Sequence, residues 1–492
     1  MRQDLELVPV EVELVLTPGL PRIHFIGLPD AALKESALRI RTAIRKQGFR
    51  LPKGQQILVH LRPSHLRKSS RGLDLAIAAA ILWETEQVPR PENLNNVFLY
   101  GEITLTGEVE TPEDFFEIPY IESAIVYTGP KSEACALPSI RLRELRNFAG
   151  PIQVREPSFE TQFPVRPKPL AESFPPEAAR LAEVIAAGEH SALIAGPSGT
   201  GKSTLAASIP AWLEEPQKDR EEWTAAIRWA RVASAPIWRP FVRPHHTITK
   251  LAMIGGGQSA WSGEISRAHT GVLLLDELLE FDPEIQEALR EPVENGVIAI
   301  TRAGRSRVHP AQVVLLATTN LCDCGGFVPK ASAGSHCRCA PGDRRRKLRR
   351  LTGPFADRFA ILAYSDEWLQ SEEPEDGMPG RRRALKQAAR IPANEILERV
   401  SRAIEFRRRS RSQKIPNARL TAAEIEPSLT ALARESLMSA LEGCSYRRKE
   451  SVLRIARTLA DLRESSAIDL GDFDKALKLG WAGHKLLQDW RD

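Results

Sequence analysis

The sequence has no long hydrophobic run. None of its apolar stretches approaches the roughly 18–20 residues that a helix needs to cross a bilayer, which excludes an α-helical membrane-spanning protein. Its first residues, Met1-Arg2-Gln3-Asp4-Leu5-Glu6, have neither the charge layout nor the apolar core of a signal peptide, so the chain is expected to be cytoplasmic. Cysteine is scarce. Six cysteines in 492 residues, four of them bunched, do not make the framework of a secreted disulfide-stapled domain. Net charge is also small, at +5, but it is unevenly placed. Between Pro379 and Ile415 twelve Lys/Arg face three Glu, a local +9, so the remainder sums to −4. Six more basic residues lie in Arg344-Arg345-Arg346-Lys347-Leu348-Arg349-Arg350. Such clusters suit phosphate backbones, and the plainer reading is a solvated helix face.

What is present is a globular composition, 42% hydrophobic and 27% charged. A chain of 492 residues has room for about two to four domains, each with a core of its own. Val10-Glu11-Val12-Glu13-Leu14 alternates at the period of a strand. After Gly27-Leu28-Pro29-Asp30, a helix is predicted with Leu33, Ala37, Ile40 and Ile44 on one face, stopping at Gly48. Ile57-Leu58-Val59-His60-Leu61 reads as another strand, and the run from Leu73 to Leu82 as a buried helix. Residues 1–155 therefore read as an α/β domain of their own. That domain has no Ser/His/Asp set, metal-ligand cluster or phosphate loop, and its Asp74 and His60 read as structural. Residues 156–176, with Pro157, Pro164, Pro167, Pro169, Pro175 and Pro176, have the composition of a semi-rigid linker.

The most specific stretch follows: Gly196, Pro197, Ser198, Gly199, Thr200, Gly201, Lys202 and Ser203. It comes after apolar Ala192-Leu193-Ile194-Ala195 and leads through Thr204 into a predicted helix. This is G-x-x-x-x-G-K-[ST] in a strand–loop–helix context. Glycines let backbone N–H groups turn around a β-phosphate, and the helix adds its positive end. Lys202 can reach β- and γ-phosphates, and the Ser203 hydroxyl can ligate Mg²⁺. A glycine-rich turn in an α/β core is the alternative.

Further on, Gly271-Val272-Leu273-Leu274-Leu275-Asp276-Glu277 is an apolar strand ending in two carboxylates. Behind a phosphate loop, Asp276 can hold the Mg²⁺ shell and Glu277 can polarise the attacking water. Asn320 ends a third buried strand, Val313 to Thr319, and either touches the γ-phosphate or caps a turn. Lys202 and Asp276 are 74 residues apart, and the surplus, with Arg239 to His246 and Ile254-Gly255-Gly256-Gly257, reads as an inserted loop. Its adjacent His245 and His246 are expected to point apart and to serve packing or a partner contact. Val297 to Arg302 and Arg305 to His309 resemble a hairpin whose basic tip, Arg302, Arg305 and Arg307, suits nucleic acid or merely guards an edge.

Cys322-x-Cys324 and, after twelve residues, Cys337-x-Cys339 offer four thiolates to a structural Zn²⁺, the other reading being four reduced cysteines in a loop. A catalytic metal is not expected there, because four protein ligands leave no open position. Arg358, in Phe355-Ala356-Asp357-Arg358-Phe359, either reaches a neighbour's γ-phosphate or pairs with Asp357. Residues 366–380 read as an acidic connector, and 381–492 as an all-helical tail whose clearest helix spans Glu450 to Leu462. That tail is either a lid that supplies an arginine to the nucleotide or a plain bundle.

In this order the motifs resemble the ComM/YifB family, AAA+ ATPases related to the magnesium-chelatase ATPase subunit and to MCM helicases. The likeness covers nearly the whole chain. It is carried by Gly27-Leu28-Pro29-Asp30 with Lys34-Glu35-Ser36, Arg243-Pro244-His245-His246-Thr247-Ile248, Gly263-Glu264-Ile265-Ser266, Gly271 to Glu277, the C-x-C pairs, and Ala456 to Leu462. The resemblance implies an α/β fold in three parts. These are a ribosomal-S5-domain-2/Lon-protease-like N-terminal domain (1–155), a P-loop AAA+ core (177–365) and a helical lid (381–492). It implies that Gly196 to Ser203, with Thr204, is Walker A, Asp276 and Glu277 Walker B, and Asn320 sensor 1. Arg358 becomes an arginine finger acting in trans, Arg447 the sensor 2 arginine, the segment before Asp276 a helix-2 insert, and 297–309 a pre-sensor hairpin. Where the family carries an Asp-Val-x-Gly-Gln-like adenine-side motif, this chain has Glu172-Ser173-Phe174-Pro175-Pro176.

The function this implies is a Mg²⁺-dependent, hexamer-forming ATPase that binds ATP and moves on or remodels DNA, as in branch migration during recombination. A chelatase-like motor acting on a protein partner is the alternative. An ATP-dependent protease or a non-hydrolysing scaffold is a remoter one.

Overall fold

The computed structural model describes the chain apart from residues 1, 4–5, 8, 21, 27–30, 63–70, 92, 113–114, 116–117, 119–120, 122, 132–136, 151–152, 156–163, 218–220, 234, 257–260, 303–304, 328–336, 352–354, 366–367, 369–389, 441–443 and 486–492. It divides into two compact units, Met1–Phe163 and Pro164–Asp492. Among the described residues no helix is long and apolar enough to cross a membrane.

In the first unit, Glu11–Pro18 pairs antiparallel with Gln55–Arg62, which pairs in parallel with Ile23–Ile26 on its other side. The register sets Glu13 opposite His60, and the His60 Nδ1 lies 2.8 Å from the Glu13 carboxylate. Val97–Leu99, Ile125–Thr128 and Ser139–Arg141 form a parallel set, edged by antiparallel Val154–Arg155. The helix Ala31–Lys46 buries Ile40, Ala43 and Ile44 completely, and Gly48 follows in the left-handed region at φ 86°. The helix Asp74–Glu84 has apolar residues on nearly every side and is buried accordingly. Its first residue, Asp74, is held by the Arg39 guanidinium at 2.8 Å, and burial pushes its carboxyl pKa up. The Gly27 to Asp30 stretch lies outside the described residues.

The second unit is built on a parallel five-stranded sheet. Its order is Phe241–Val242, Val272–Leu275, Val314–Thr319, Ala192–Ala195, Ile361–Tyr364. The strands Ala192–Ala195, Val272–Leu275 and Val314–Thr319 are buried at every position. That is why they read as unbroken apolar runs rather than alternating ones: helices cover both faces. On one face the helices Pro176–Gly188, Ala393–Arg411 and Tyr446–Leu462 share a single apolar cluster with the strands. On the other face Met253, Ile265, Leu278, Phe281, Ile285 and Phe359 make a second cluster. The described C-terminal helices therefore complete the core of this unit instead of enclosing one of their own.

Two expectations are corrected here. From Pro164 onward the stretch read as a semi-rigid linker packs on the second unit instead. The Val165 N–H donates to the Ile237 carbonyl at 2.9 Å, Arg166 stacks on Trp238, and Ser173–Phe174 pairs with Ile391–Pro392. Proline there limits the chain to extended conformations that lie flat on a packed surface. Likewise the stretch from Arg239 is not wholly an inserted loop, because Phe241–Val242 forms the edge strand beside Val272–Leu275. A two-residue strand is too short to show a period.

Candidate nucleotide site

Three buried strands end side by side, and each delivers polar groups to one place. Ala192–Ala195 runs into the phosphate loop, whose Gly201, at φ 85°, caps the helix Lys202–Ser208. A left-handed turn at that point suits a residue without Cβ. Val272–Leu275 ends in Asp276, and Val314–Thr319 in Asn320, the strand between the other two. Parallel α/β sheets bind ligands at such carboxyl ends.

Lys202 is almost fully buried and folds back over its own loop. Its Nζ donates to the carbonyls of Gly196 at 3.0 Å and Pro197 at 2.5 Å, and to the Asn320 amide oxygen at 3.2 Å. Burial pushes its pKa from 10.5 down to about 8, against the pull of Asp276 and Glu277. The Ser203 hydroxyl donates to Asp276 at 2.7 Å. That separation matches the about 2.9 Å between adjacent oxygen ligands of an octahedral Mg²⁺, so the pair fits this ion. Burial raises the Asp276 pKa, but hydrogen bonds from Thr318 and Ser203 and the Arg243 guanidinium outweigh it and hold the carboxyl below its usual range. Glu277 is exposed, sits at φ 58°, and donates its backbone N–H to Thr318 at 3.1 Å. Thr200 bonds Ser365 at 2.6 Å, and the Ser365 N–H reaches the Ala195 carbonyl at 2.9 Å.

Arg358 and Arg447 lie elsewhere. They meet at a cleft of about 570 Å³ that runs past Ser191, Gly271, Val313 and Ala360, at the amino ends of the same strands. Four residues of strand, about 13 Å, separate the two ends of Ala192–Ala195. Both arginines hold Glu294, Arg358 at 2.9 Å. The alternative reading, a pairing of Arg358 with Asp357, does not form: Asp357 binds Arg448 at 2.7 Å and Arg358 binds Glu294. Nor does Arg447 reach the nucleotide loop of its own chain, because the first turn of Tyr446–Leu462 packs at the opposite end of the sheet.

Sequence reasoning missed Arg243, Thr318, Ser365 and Glu294. Arg243 stood in a quoted motif but was assigned to an insert; instead it pairs with Asp276 from the end of the neighbouring strand. The polar end Thr318-Thr319 of an apolar run was a usable signal for Thr318. The rings of His245 and His246 do not point apart but lie 4.1 Å centroid to centroid, with His245 bonded to Thr247.

The basic features divide. The helix Pro341–Leu351 exposes Arg345, Arg346, Arg349 and Arg350. In the described part of 379–415 the charge is largely matched internally. Arg399 pairs with Glu183, Arg407 and Arg408 with Glu214, Arg409 with Glu405, and Arg411 with Asp461. The described arginines of that run are therefore largely committed to carboxylates of this chain, whereas Arg381, Arg382, Arg383 and Lys386 lie outside the described residues. Val297–Arg302 and Arg305–Pro310 pair antiparallel, with Arg302 opposite Arg305. The side chains of Arg302, Arg305 and Arg307 lie outside the described residues. The Sγ atoms of Cys322, Cys324, Cys337 and Cys339 all lie within 4.8 Å of one another, a group able to hold a metal ion.

Three family models cover most of the chain. Magnesium chelatase subunit ChlI matches residues 174–372, subunit ChlI of Mg-chelatase matches 10–124, and the ChlI C-terminal model matches 391–479. YifB of Salmonella typhimurium is 32% identical over 95% of this chain and 93% of its own length. The competence protein ComM of Haemophilus influenzae is 31% identical over 93% and 92%. A magnesium-chelatase 67 kDa subunit of Chlorobaculum parvum matches only 17% of the chain, at 32% identity. With these likenesses spanning both units, the chain belongs to the magnesium-chelatase-like AAA+ family that includes YifB and ComM.

Proposed function

We propose that the chain is a Mg²⁺-dependent ATPase working as a ring, and that its hydrolysis drives movement on, or remodelling of, DNA. The observation that carries the ATPase reading is the convergence of Lys202, Ser203, Asp276 and Asn320 at adjacent strand ends. In this reading Lys202 turns from its own carbonyls to the β- and γ-phosphates, and Ser203 and Asp276 hold the ion. Glu277 accepts a proton from water as that oxygen bonds to the γ-phosphorus and the bond to the β–γ bridging oxygen breaks. Mg²⁺ supplies charge neutralisation on the phosphates. Arg358 and Arg447 serve the loop of the adjoining copy, a reading supported by their place at the opposite end of the sheet. Support for DNA comes from the exposed basic helix Pro341–Leu351 and from a relative named a competence protein. Branch migration is the finer form of that reading. The four cysteines hold a structural Zn²⁺, which their mutual spacing supports.

Lys202→Ala is expected to abolish nucleotide binding. Glu277→Gln should bind ATP yet turn over about 100-fold or more slowly. Wild-type turnover by Glu277→Gln would remove the base assignment. ATPase rate against single-stranded, duplex and branched DNA should rise and then fall steeply with salt. A chelatase-like motor is the second reading, favoured by the ChlI matches over both units. It predicts indifference to every DNA form and stimulation by a protein partner.

A further inference from the structure

The loop that leaves Val314–Thr319 touches the phosphate loop twice. Asn320 accepts from Lys202 at 3.2 Å. Five residues on, the Gly325 carbonyl accepts the Ser198 N–H at 2.9 Å. Between these tethers stand Cys322 and Cys324, and Gly325 itself is turned back by an N–H bond to the Cys322 carbonyl at 3.1 Å. The approach is close. Gly325 sits at φ 70°, and a Cβ there would lie 2.3 Å from the Ser198 hydroxyl.

Two members of the cysteine cluster, Cys322 and Cys324, lie on this short loop. Cys322 and Cys324 sulfurs are 3.4 Å apart, and Cys324 and Cys337 sulfurs 3.7 Å. Four sulfurs at tetrahedral Zn²⁺ lie about 3.8 Å apart, so the group needs only small shifts to close on one ion. The sulfurs are also oriented from outside. The Phe327 N–H donates to Cys322 at 3.2 Å, and the Cys324 N–H to Cys339 at 3.4 Å, the outer hydrogen bonds that fix ligands around a metal. The following basic helix grips the same loop through Lys347 on Asp323 at 2.8 Å and Arg344 over the Phe327 ring.

We propose that Zn²⁺ held by Cys322, Cys324, Cys337 and Cys339 braces the phosphate loop, so that metal loss loosens the Gly325–Ser198 contact and weakens nucleotide binding. The coupling rests on the nucleotide-binding reading of Gly196 to Ser203.

The test uses the full chain. Zinc per chain is measured by elemental analysis, the metal is stripped with a mercurial and the thiols re-reduced. Affinity for a fluorescent ATP analogue is then read before stripping, after it, and after zinc is restored, with circular dichroism as the fold control. One zinc per chain is expected, with affinity about five- to tenfold weaker in the stripped protein, the scale of one or two lost hydrogen bonds, and recovered on reloading. Gly325→Ala, which spares every sulfur ligand, should keep its zinc and lose affinity to a similar degree. Cys337→Ser with Cys339→Ser should bind no zinc and lose affinity as the stripped chain does; if it fails to fold, stripping and reloading the wild-type chain still decides the matter. No zinc bound by the reduced protein would overturn the metal site. Zinc bound with affinity unchanged on stripping would overturn the coupling alone. Wild-type, zinc-loaded protein that binds no nucleotide would instead defeat the nucleotide reading, and the coupling with it, while leaving the zinc count standing.

Discussion

In the proposed nucleotide site, Lys202 is held in a state that a phosphate ligand would reverse. Its ammonium is buried, bonded to two carbonyls of its own loop, and its pKa is lowered to about 8. Phosphate oxygens favour the charged form, so the pKa in the nucleotide complex lies above that of the free protein. The complex then holds more protons than the free protein at any pH between the two values, and affinity must fall as pH rises through that window. Below about pH 8 the affinity should be flat. Above it, Kd for the ATP analogue should rise by up to about tenfold per pH unit. Titrating binding from pH 7 to 9.5 checks this, and a flat profile through pH 9 would mean that Lys202 does not gain its charge stabilisation from the phosphates.

At the scale of elements, the buried side chain of Arg448 ties the helix Tyr446–Leu462 to the segment Asp357–Phe359 that leads into the strand Ile361–Tyr364. It donates to the carbonyls of Phe359 at 3.1 Å and Gly480 at 3.0 Å, and to Asp357 at 2.7 Å. Arg448→Met keeps much of the volume but takes this donor from the Phe359 and Gly480 carbonyls, at a cost of about 3 kcal/mol. For a cooperative unit spanning Pro164–Asp492, a fall in Tm of about 4 °C is expected by circular dichroism. Nucleotide affinity should change little, because the loop is at the other end of the sheet; a large loss of affinity in folded protein would contradict that separation. The sequence showed elements of this kind unevenly. Runs such as Val272–Leu275 and Val314–Thr319 were legible because burial on both faces leaves no polar position until the strand ends. For the same reason Asp276 and Asn320 could be picked out before the sheet order was known, and Lys202 and Ser203 by the spacing of their glycine-rich loop. Arg448, Glu294 and Arg243 could not. Each matters through a partner 33 to 153 residues away, and no local period records an ion pair between distant elements. Arg399, Arg407 and Arg411 misled for the same reason, since Glu183, Glu214 and Asp461, the carboxylates that bind them, are far off in the chain.

For the whole molecule, the decisive feature is that the sheet has a phosphate loop at one end and an arginine cleft at the other. One copy cannot bring Arg358 to its own Lys202 without dismantling the sheet between them. A head-to-tail interface joins unlike surfaces and closes into a ring when the rotation permits, which would set the arginine cleft of one copy against the loop of the next. Within a single copy Arg358 and Arg447 share Glu294, a carboxylate that a neighbour's γ-phosphate can replace. Mixing two inactive variants tests this arrangement. Lys202→Ala keeps its arginines and lacks a working loop; Arg358→Ala keeps the loop and lacks the arginine. If sites are shared, an equimolar mixture assembles about one interface in four with an intact loop facing an intact Arg358. ATPase activity should then recover toward about a quarter of wild type, although each variant alone stays near background. The recovery should vanish on dilution to concentrations where only monomers remain. A mixture no more active than the mean of its two parents, under conditions where sizing shows mixed oligomers, would place the finger and the loop it serves within one chain.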